Sequence, residues 1–400
     1  MRESIIYGGL WILERVLRLL AAREPAAIVR APHIVLTGTF HSANWIRAHL
    51  LPMVNSGAFG QITLITTSDV EYPIGVRVIK PYPRLRHWCG ETISRLGTFC
   101  HTVAKERPDY VSGFHLLFNG LLAILLARMI SRRAIYFCVG GPAEVTDGGL
   151  LSENRLLSSL KKPSKRIESV LLSIASRADL IVCMGNGAAS FYRSRTQATV
   201  LVNPGGVPPI RPSAQPEKSY DLIFLGRLAP IKNLQVLLEA VAELNKSHPV
   251  TLAIVGAGEL DSALKSLAVQ LGIENRVTFA GMQKDTVSWL RSARIFVLPS
   301  VSEGLSLSLM EAMSAGLPAV VSDVGDLGDL VRNEFNGILL QDVTGAKLAS
   351  AIAHCLDKDV YERLCRGASE AAAQVLLSEA ESRWKGLNIQ PRSESSECAA

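Results

Sequence analysis

The hydrophobic positions of this chain fall in short runs separated by loops and longer helix-like stretches. Between residues 33 and 202, His33–Leu36, Ile62–Thr66, Val76–Ile79, Asp109–Val111, Ile135–Cys138, Asp179–Cys183 and Thr199–Val202 read as buried strands. The stretches between them suit helices: Ile46–Asn55, Glu91–Arg107, which stops at Pro108, and the apolar Phe114–Ile130. Past a Pro-rich polar stretch the pattern resumes with Asp221–Leu225, Thr251–Val255, Arg276–Ala280, Arg294–Leu298 and Ala319–Ser322. Strands alternating with helices predict right-handed crossovers and parallel sheets, an α/β fold.

The stretch Pro299–Val324 is the most informative. An apolar strand ends at Leu298, and Leu305–Ala315 reads as about three turns of helix closed by Gly316. A second apolar strand then follows. Glu303 falls in the loop at the carboxyl end of the strand, where open α/β sheets bind ligands. Glu311 falls inside the helix, so both carboxylates can flank one crevice. The N–H groups of Gly304, Leu305 and Ser306 and the helix dipole favour an anion between them. The plain alternative is that Glu303 caps the helix and Glu311 points to solvent.

A second anion-facing loop is predicted at Gly226-Arg227-Leu-Ala-Pro-Ile-Lys232, where a strand, a glycine and two cations precede a helix. Arginine can hold a pyrophosphate through two parallel bonds, and lysine acts as a point charge. Gly256-Ala-Gly258 follows another strand but lacks the third glycine of a dinucleotide fingerprint. No zinc-type Cys/His spacing is present.

The full pattern of Glu303-Gly-Leu-Ser, seven residues, Glu311-Ala-Met and then Ala315-Gly-Leu-Pro318 resembles the signature of retaining GT-B glycosyltransferases of family 4. The Gly226-Arg227-Leu…Lys232 stretch is similar to that family's second element. The resemblance implies two facing Rossmann-like parallel-sheet domains with a cleft between them. It implies a nucleoside-diphosphate sugar as donor co-substrate, no metal or other cofactor, and a glycan or lipid-linked acceptor. Arg227 and Lys232 would neutralise the leaving diphosphate, Glu303 would contact the donor sugar, and Glu311 would hold the ribose. Gly226, Gly304, Leu305 and Ser306 would line the donor site. His115, after Pro108-Asp-Tyr-Val111, would lie by the acceptor and the transferred sugar; read without the resemblance, it is a structural histidine. Surface polysaccharide or glycoconjugate synthesis is the implied setting. An epimerase or phosphorylase on the same fold, and a non-catalytic membrane scaffold, are the competing readings.

Some loops depart from the family. A single glycine stands in Thr37-Gly38-Thr39 where many members carry a pair. Gly140-Gly141-Pro142 replaces His-Gly, and Asn203-Pro-Gly-Gly-Val207 lacks the usual Asp. These differences fall mostly on the acceptor side and leave the acceptor unspecified.

Length, 400 residues, fits two or three domains, and 48% hydrophobic residues suffice for full cores. The expected organisation is an amphipathic helix in 1–31, an acceptor-side domain in 32–207, a linker in 208–218 and a nucleotide-sugar domain in 219–370. A helix crossing back in 371–387, anchored by Trp384, and a disordered tail in 388–400 complete it. The net charge of +6 suits phosphosugars or acidic lipid surfaces, and nucleic acid is not an expected partner. Seven scattered cysteines, most in apolar runs, fit a reducing cytoplasm. The amino-terminal segment lacks the charge order of a signal peptide and suits an interfacial helix at the inner membrane face, with Trp11 and the leucines in lipid. A helix packed on the protein itself is the other reading. The basic run Lys161–Arg166 suits either anionic lipid or solvent.

Overall fold

The computed structural model describes residues 2–20, 25–26, 31–40, 42–152, 154, 156–210 and 218–387. The expected tail from 388 and most of the expected linker lie outside these residues. The chain divides into two compact units, Met1–Gly205 with Ala380–Ala400, and Gly206–Glu379.

The first unit carries β1 (His33–Thr37), β2 (Gln61–Ile65), β3 (Val76–Ile79), β4 (Tyr110–Phe114), β5 (Arg133–Cys138), β6 (Leu180–Cys183) and β7 (Thr199–Val202). They form one parallel sheet in the order β3-β2-β1-β4-β5-β6-β7. The second unit carries β8 (Tyr220–Leu225), β9 (Leu252–Val255), β10 (Val277–Gly281), β11 (Ala293–Leu298), β12 (Ala319–Ser322) and β13 (Gly337–Leu340). Its sheet is also parallel, in the order β10-β9-β8-β11-β12-β13.

Helices cover such sheets on both faces, which explains why the strands read as unbroken apolar runs rather than alternations. Val35, Val111, Tyr136 and Ile181 meet Ile124 and Ile174 in the first core. Ile223, Ile254, Phe296 and Val320 meet Leu237, Leu309 and Ile352 in the second. Each such side chain contributes about 1.5–3 kcal/mol on leaving water. Gly316 takes φ +73 behind the helix Leu307–Ser314, as its place in the sequence predicts.

The edge strand β13 was not read from the sequence, and two longer elements differ from expectation. Phe114–Ile130 is not one helix: β4 runs through Phe114, which pairs with Phe137 of β5. An irregular turn spans Leu116–Gly120, and the helix is confined to Leu121–Met129. Asn119 explains the break, because its side-chain amide donates to the Phe114 carbonyl at 2.7 Å and competes with a helical turn.

The amino-terminal helix Arg2–Leu20 packs against the helix Lys165–Ala175. Ile6, Leu10 and Leu17 are buried there, so these two leucines lie in protein and not in lipid. Glu14 is buried as well and accepts from Ser173 Oγ at 2.7 Å and from Arg18 Nε at 2.5 Å. Ile5, Ile12, Val16 and Leu19 face outward instead, and Arg15 lies over the Trp11 ring. Among the described residues no helix is long and apolar enough to cross a membrane. Cys138, Cys183 and Cys355 are buried, Cys100 and Cys365 half-buried, and Cys89 exposed, all as free thiols.

Candidate functional site

In the second sheet the strand order reverses between β8 and β11, and open parallel sheets bind ligands outside the carboxyl ends at such a point. The loops that leave there carry Gly226–Asn233 and Pro299–Ser306. Val301 N–H donates to the Ile231 carbonyl at 2.8 Å and ties the two loops together. Lys232 Nζ reaches Glu303 Oε1 at 2.6 Å, with side chains only 17% and 10% exposed. Ser300 Oγ donates to the same oxygen at 2.6 Å. Glu303 Oε2 accepts no bond among the described residues, leaving one carboxylate oxygen for a ligand hydroxyl.

Two glycines make the loops' close approach possible. A Cβ on Gly256 would fall 1.9 Å from the Gly226 carbonyl. One on Gly325, at φ +59, would fall 2.0 Å from the Glu303 carbonyl. Asp326 N–H adds a bond to the Gly304 carbonyl at 3.0 Å. The backbone around Glu303 is thereby held by its neighbours, and the carboxylate is presented by a braced loop.

The helix begins at Leu307, not Leu305. Ser306 is its N-cap, and its Oγ accepts from Leu309 N–H at 3.4 Å. Gly304 and Leu305 therefore lie in the turn ahead of the helix, while the N–H groups of its first turn lack intrahelical acceptors. Glu303 is not the cap but the partner of Lys232, and Glu311 is buried rather than solvent-facing. Gly226 N–H is engaged by the Val255 carbonyl at 3.0 Å, so this glycine offers close approach and not a donor. Arg227 stands exposed on the same loop as Lys232. The structure thus brings Lys232 and Glu303 into contact, with Arg227, Ser306 and Glu311 on the same two loops and the helix they lead into. Ser300 was not singled out from sequence; its place three residues before Glu303 in the loop after β11 is the signal that could have found it.

His115 belongs to the first unit, directly after β4. Its φ is +65, and its Nδ1 lies 3.1 Å from Glu144 Oε1. Glu144, 6% exposed, also accepts from the N–H of Gly140 and of Leu116, each at 2.6 Å, and from Tyr136 Oη at 2.9 Å. Burial alone would raise its pKa, but His115 and the two backbone N–H groups outweigh it and hold the carboxyl below its ordinary value. Glu144 escaped the sequence reading because it lies in Gly140–Glu144, which reads as a flexible loop. Its signal was an acid at the carboxyl end of β5 among small and apolar residues.

Residues 219–358 match the family model described as Glycosyl transferases group 1. The chain is 34% identical over 157 residues to an uncharacterized glycosyltransferase, MJ1607, of Methanocaldococcus jannaschii, covering 36% of this chain and 40% of the relative. It is 36% identical over 127 residues to a UDP-Gal:alpha-D-GlcNAc-diphosphoundecaprenol alpha-1,3-galactosyltransferase of Escherichia coli, covering 31% and 33%. The chain thus spans 40% or less of the length of these two curated relatives. Among solved structures, Anabaena Alr3699/HepE in complex with UDP and glucose aligns with a TM-score of 0.66 at 18% identity, over 88% of this chain and 98% of that one. Strand order, loop chemistry and these similarities agree: the chain has the GT-B fold, and its residues 219–358 match the glycosyl transferases group 1 family model.

Proposed function

We propose that this protein is a retaining glycosyltransferase that moves a sugar from a UDP-class nucleoside-diphosphate sugar to a glycan or lipid-linked acceptor. The observation that carries the reading is the Lys232–Glu303 pair at the switch point of a group 1 domain, just ahead of a capped helix tip. The UDP complex of the Anabaena structure supports the donor class, and the name of the Escherichia coli relative supports a diphosphate-linked acceptor. In this reading the diphosphate lies against Arg227, Lys232 and the first N–H groups of the helix Leu307–Ser314. Glu303 Oε2 accepts from a donor-sugar hydroxyl, and Glu311 accepts from the ribose. As the glycosidic bond breaks, charge grows on the diphosphate, and the two cations stabilise it without a metal. The acceptor attacks from the face the leaving group departs, its proton passing to the leaving phosphate, with no covalent enzyme intermediate. His115, oriented by Glu144, lies on the acceptor side.

The test is UDP release from UDP-sugars with a crude acceptor fraction. Release only when acceptor is present, unchanged by EDTA, is expected. Epimerised donor without UDP release, or activity abolished by EDTA and restored by a divalent cation, would overturn the reading.

The outward stripe of Ile5, Ile12, Val16 and Leu19, flanked by Arg15, Trp11 and Arg18, supports placement of the chain at an anionic membrane surface on the cytoplasmic side. Co-sedimentation with vesicles of mixed phosphatidylglycerol and phosphatidylcholine should fall several-fold on Ile12→Glu. Equal pelleting of both proteins would remove this role.

A further inference from the structure

The first sheet has its own switch point, between β1 and β4. One side chain spans it. Arg95, on the helix Pro83–Glu106, donates from Nη1 to Thr37 Oγ1 at the end of β1, at 2.6 Å. The same nitrogen donates to Asn119 Oδ1, in the turn after β4, at 2.9 Å. Asn119 is itself fixed by the hydrogen bond that its side-chain Nδ2 donates to the Phe114 carbonyl, next to His115. Arg95 therefore stands where the topology of an open sheet places a ligand.

Its electrostatic situation is unusual for this molecule. Arg95 is 4% exposed, and among the described residues no carboxylate lies within ion-pair distance of it. Arg128, equally buried in the same unit, has Asp179 at 3.0 Å. The acids on Arg95's own helix are taken elsewhere, Glu91 by Arg86 at 2.5 Å and Glu106 by Arg77 at 2.9 Å. Both acceptors that Arg95 does have are neutral, and both use Nη1. The Nε–Nη2 edge makes no hydrogen bond among the described residues. Burial lowers the pKa to about 10, which leaves the group charged at neutral pH. A buried guanidinium without an anion is a costly arrangement, and its unused edge is the fork that fits two oxygens of one oxyanion.

We propose that Arg95, set in place by Thr37 and Asn119, binds an oxyanion of the acceptor, a phosphate ester or a carboxylate, on its Nε–Nη2 edge. The inference rests on the transferase reading above, which makes the first unit the acceptor side. It narrows the acceptor to one that carries a negative charge.

The test is titration of the full chain, saturated with UDP to fill the donor loops, with phenyl phosphate, benzoate and phenol. Binding of phenyl phosphate or of benzoate is expected, and which of them binds separates phosphate from carboxylate. Arg95→Gln should weaken that binding by at least about tenfold, the usual worth of a charge-assisted pair, and phenol should not bind. Equal binding by wild type and Arg95→Gln, or no binding of either anion to wild type, overturns the proposal. Because Arg95→Gln can lose structure, a crystal of the wild-type chain soaked with phenyl phosphate gives an independent reading. Density at the Nε–Nη2 edge supports the site, and density elsewhere only overturns it. The same titration reports UDP affinity separately. UDP binding without an Arg95-dependent anion sinks this inference alone. Absence of UDP binding sinks the transferase reading and, with it, the assignment of the anion to an acceptor.

Discussion

Arg227→Ala should lower the rate of UDP release by at least two orders of magnitude, with little change in melting temperature. The bond that breaks leaves a diphosphate whose charge grows along the reaction, and a positioned cation is stronger there than in the ground state. Removing one such donor typically costs about 10²–10³ in rate. Arg227 is exposed on its loop, so its loss should cost the fold within about 0.5 kcal/mol. Lys232 is a poorer first choice for this test because it is paired with Glu303. Its removal would leave a carboxylate only 10% exposed without its cation and would mix a stability effect into the rate. Turnover of Arg227→Ala at the wild-type level, measured with saturating donor, would take the diphosphate away from this loop.

Glu144→Ala should destabilise the protein by about 3–5 kcal/mol, the usual cost of breaking a buried charged network from one side. The two N–H groups of Gly140 and Leu116 and the Tyr136 hydroxyl all converge on this carboxylate. Without it they remain buried donors with an acceptor removed. The pH dependence has a definite sign. The folded-state pKa of Glu144 is lowered from the ordinary 4.5, so its contribution is fully present above that value. It is lost as pH falls through the lowered folded value. Denaturant melts should therefore show the wild-type protein losing stability below about pH 4.5, with the Glu144→Ala difference shrinking over the same range. A variant that melts like wild type at pH 7 would show that the network contributes nothing net. The same variant should also loosen His115, whose Nδ1 partner it removes.

The strands other than β13 were legible because a parallel sheet is buried on both faces and leaves unbroken apolar runs, whereas β13 is an edge strand with two half-buried residues. The helix Leu307–Ser314 was legible for the same kind of reason, with Gly316 behind it. Its first turn was not, because Ser306 can serve equally as cap or as first-turn residue until the chain direction is known. Phe114–Ile130 misled because apolar periodicity alone cannot separate a buried strand from a buried helix. Leu10 and Leu17 of the amino-terminal helix misled similarly: a hydrophobic position has the same pattern whether it meets lipid or the helix Lys165–Ala175.

By itself the amino-acid sequence determined the alternation of strands and helices, the glycines that allow close loops, and the two acids and two cations of the second unit. These are local properties, written in spacing and residue type. Tertiary structure alone decided that Lys232 meets Glu303 across 71 residues of chain, that Glu144 gathers four donors, and that Arg95 is buried with no acid beside it among the described residues. The reason is physical. Whether a charged side chain is paired, and how much water it keeps, depends on which strand ends lie side by side, and strand order is a property of the folded sheet.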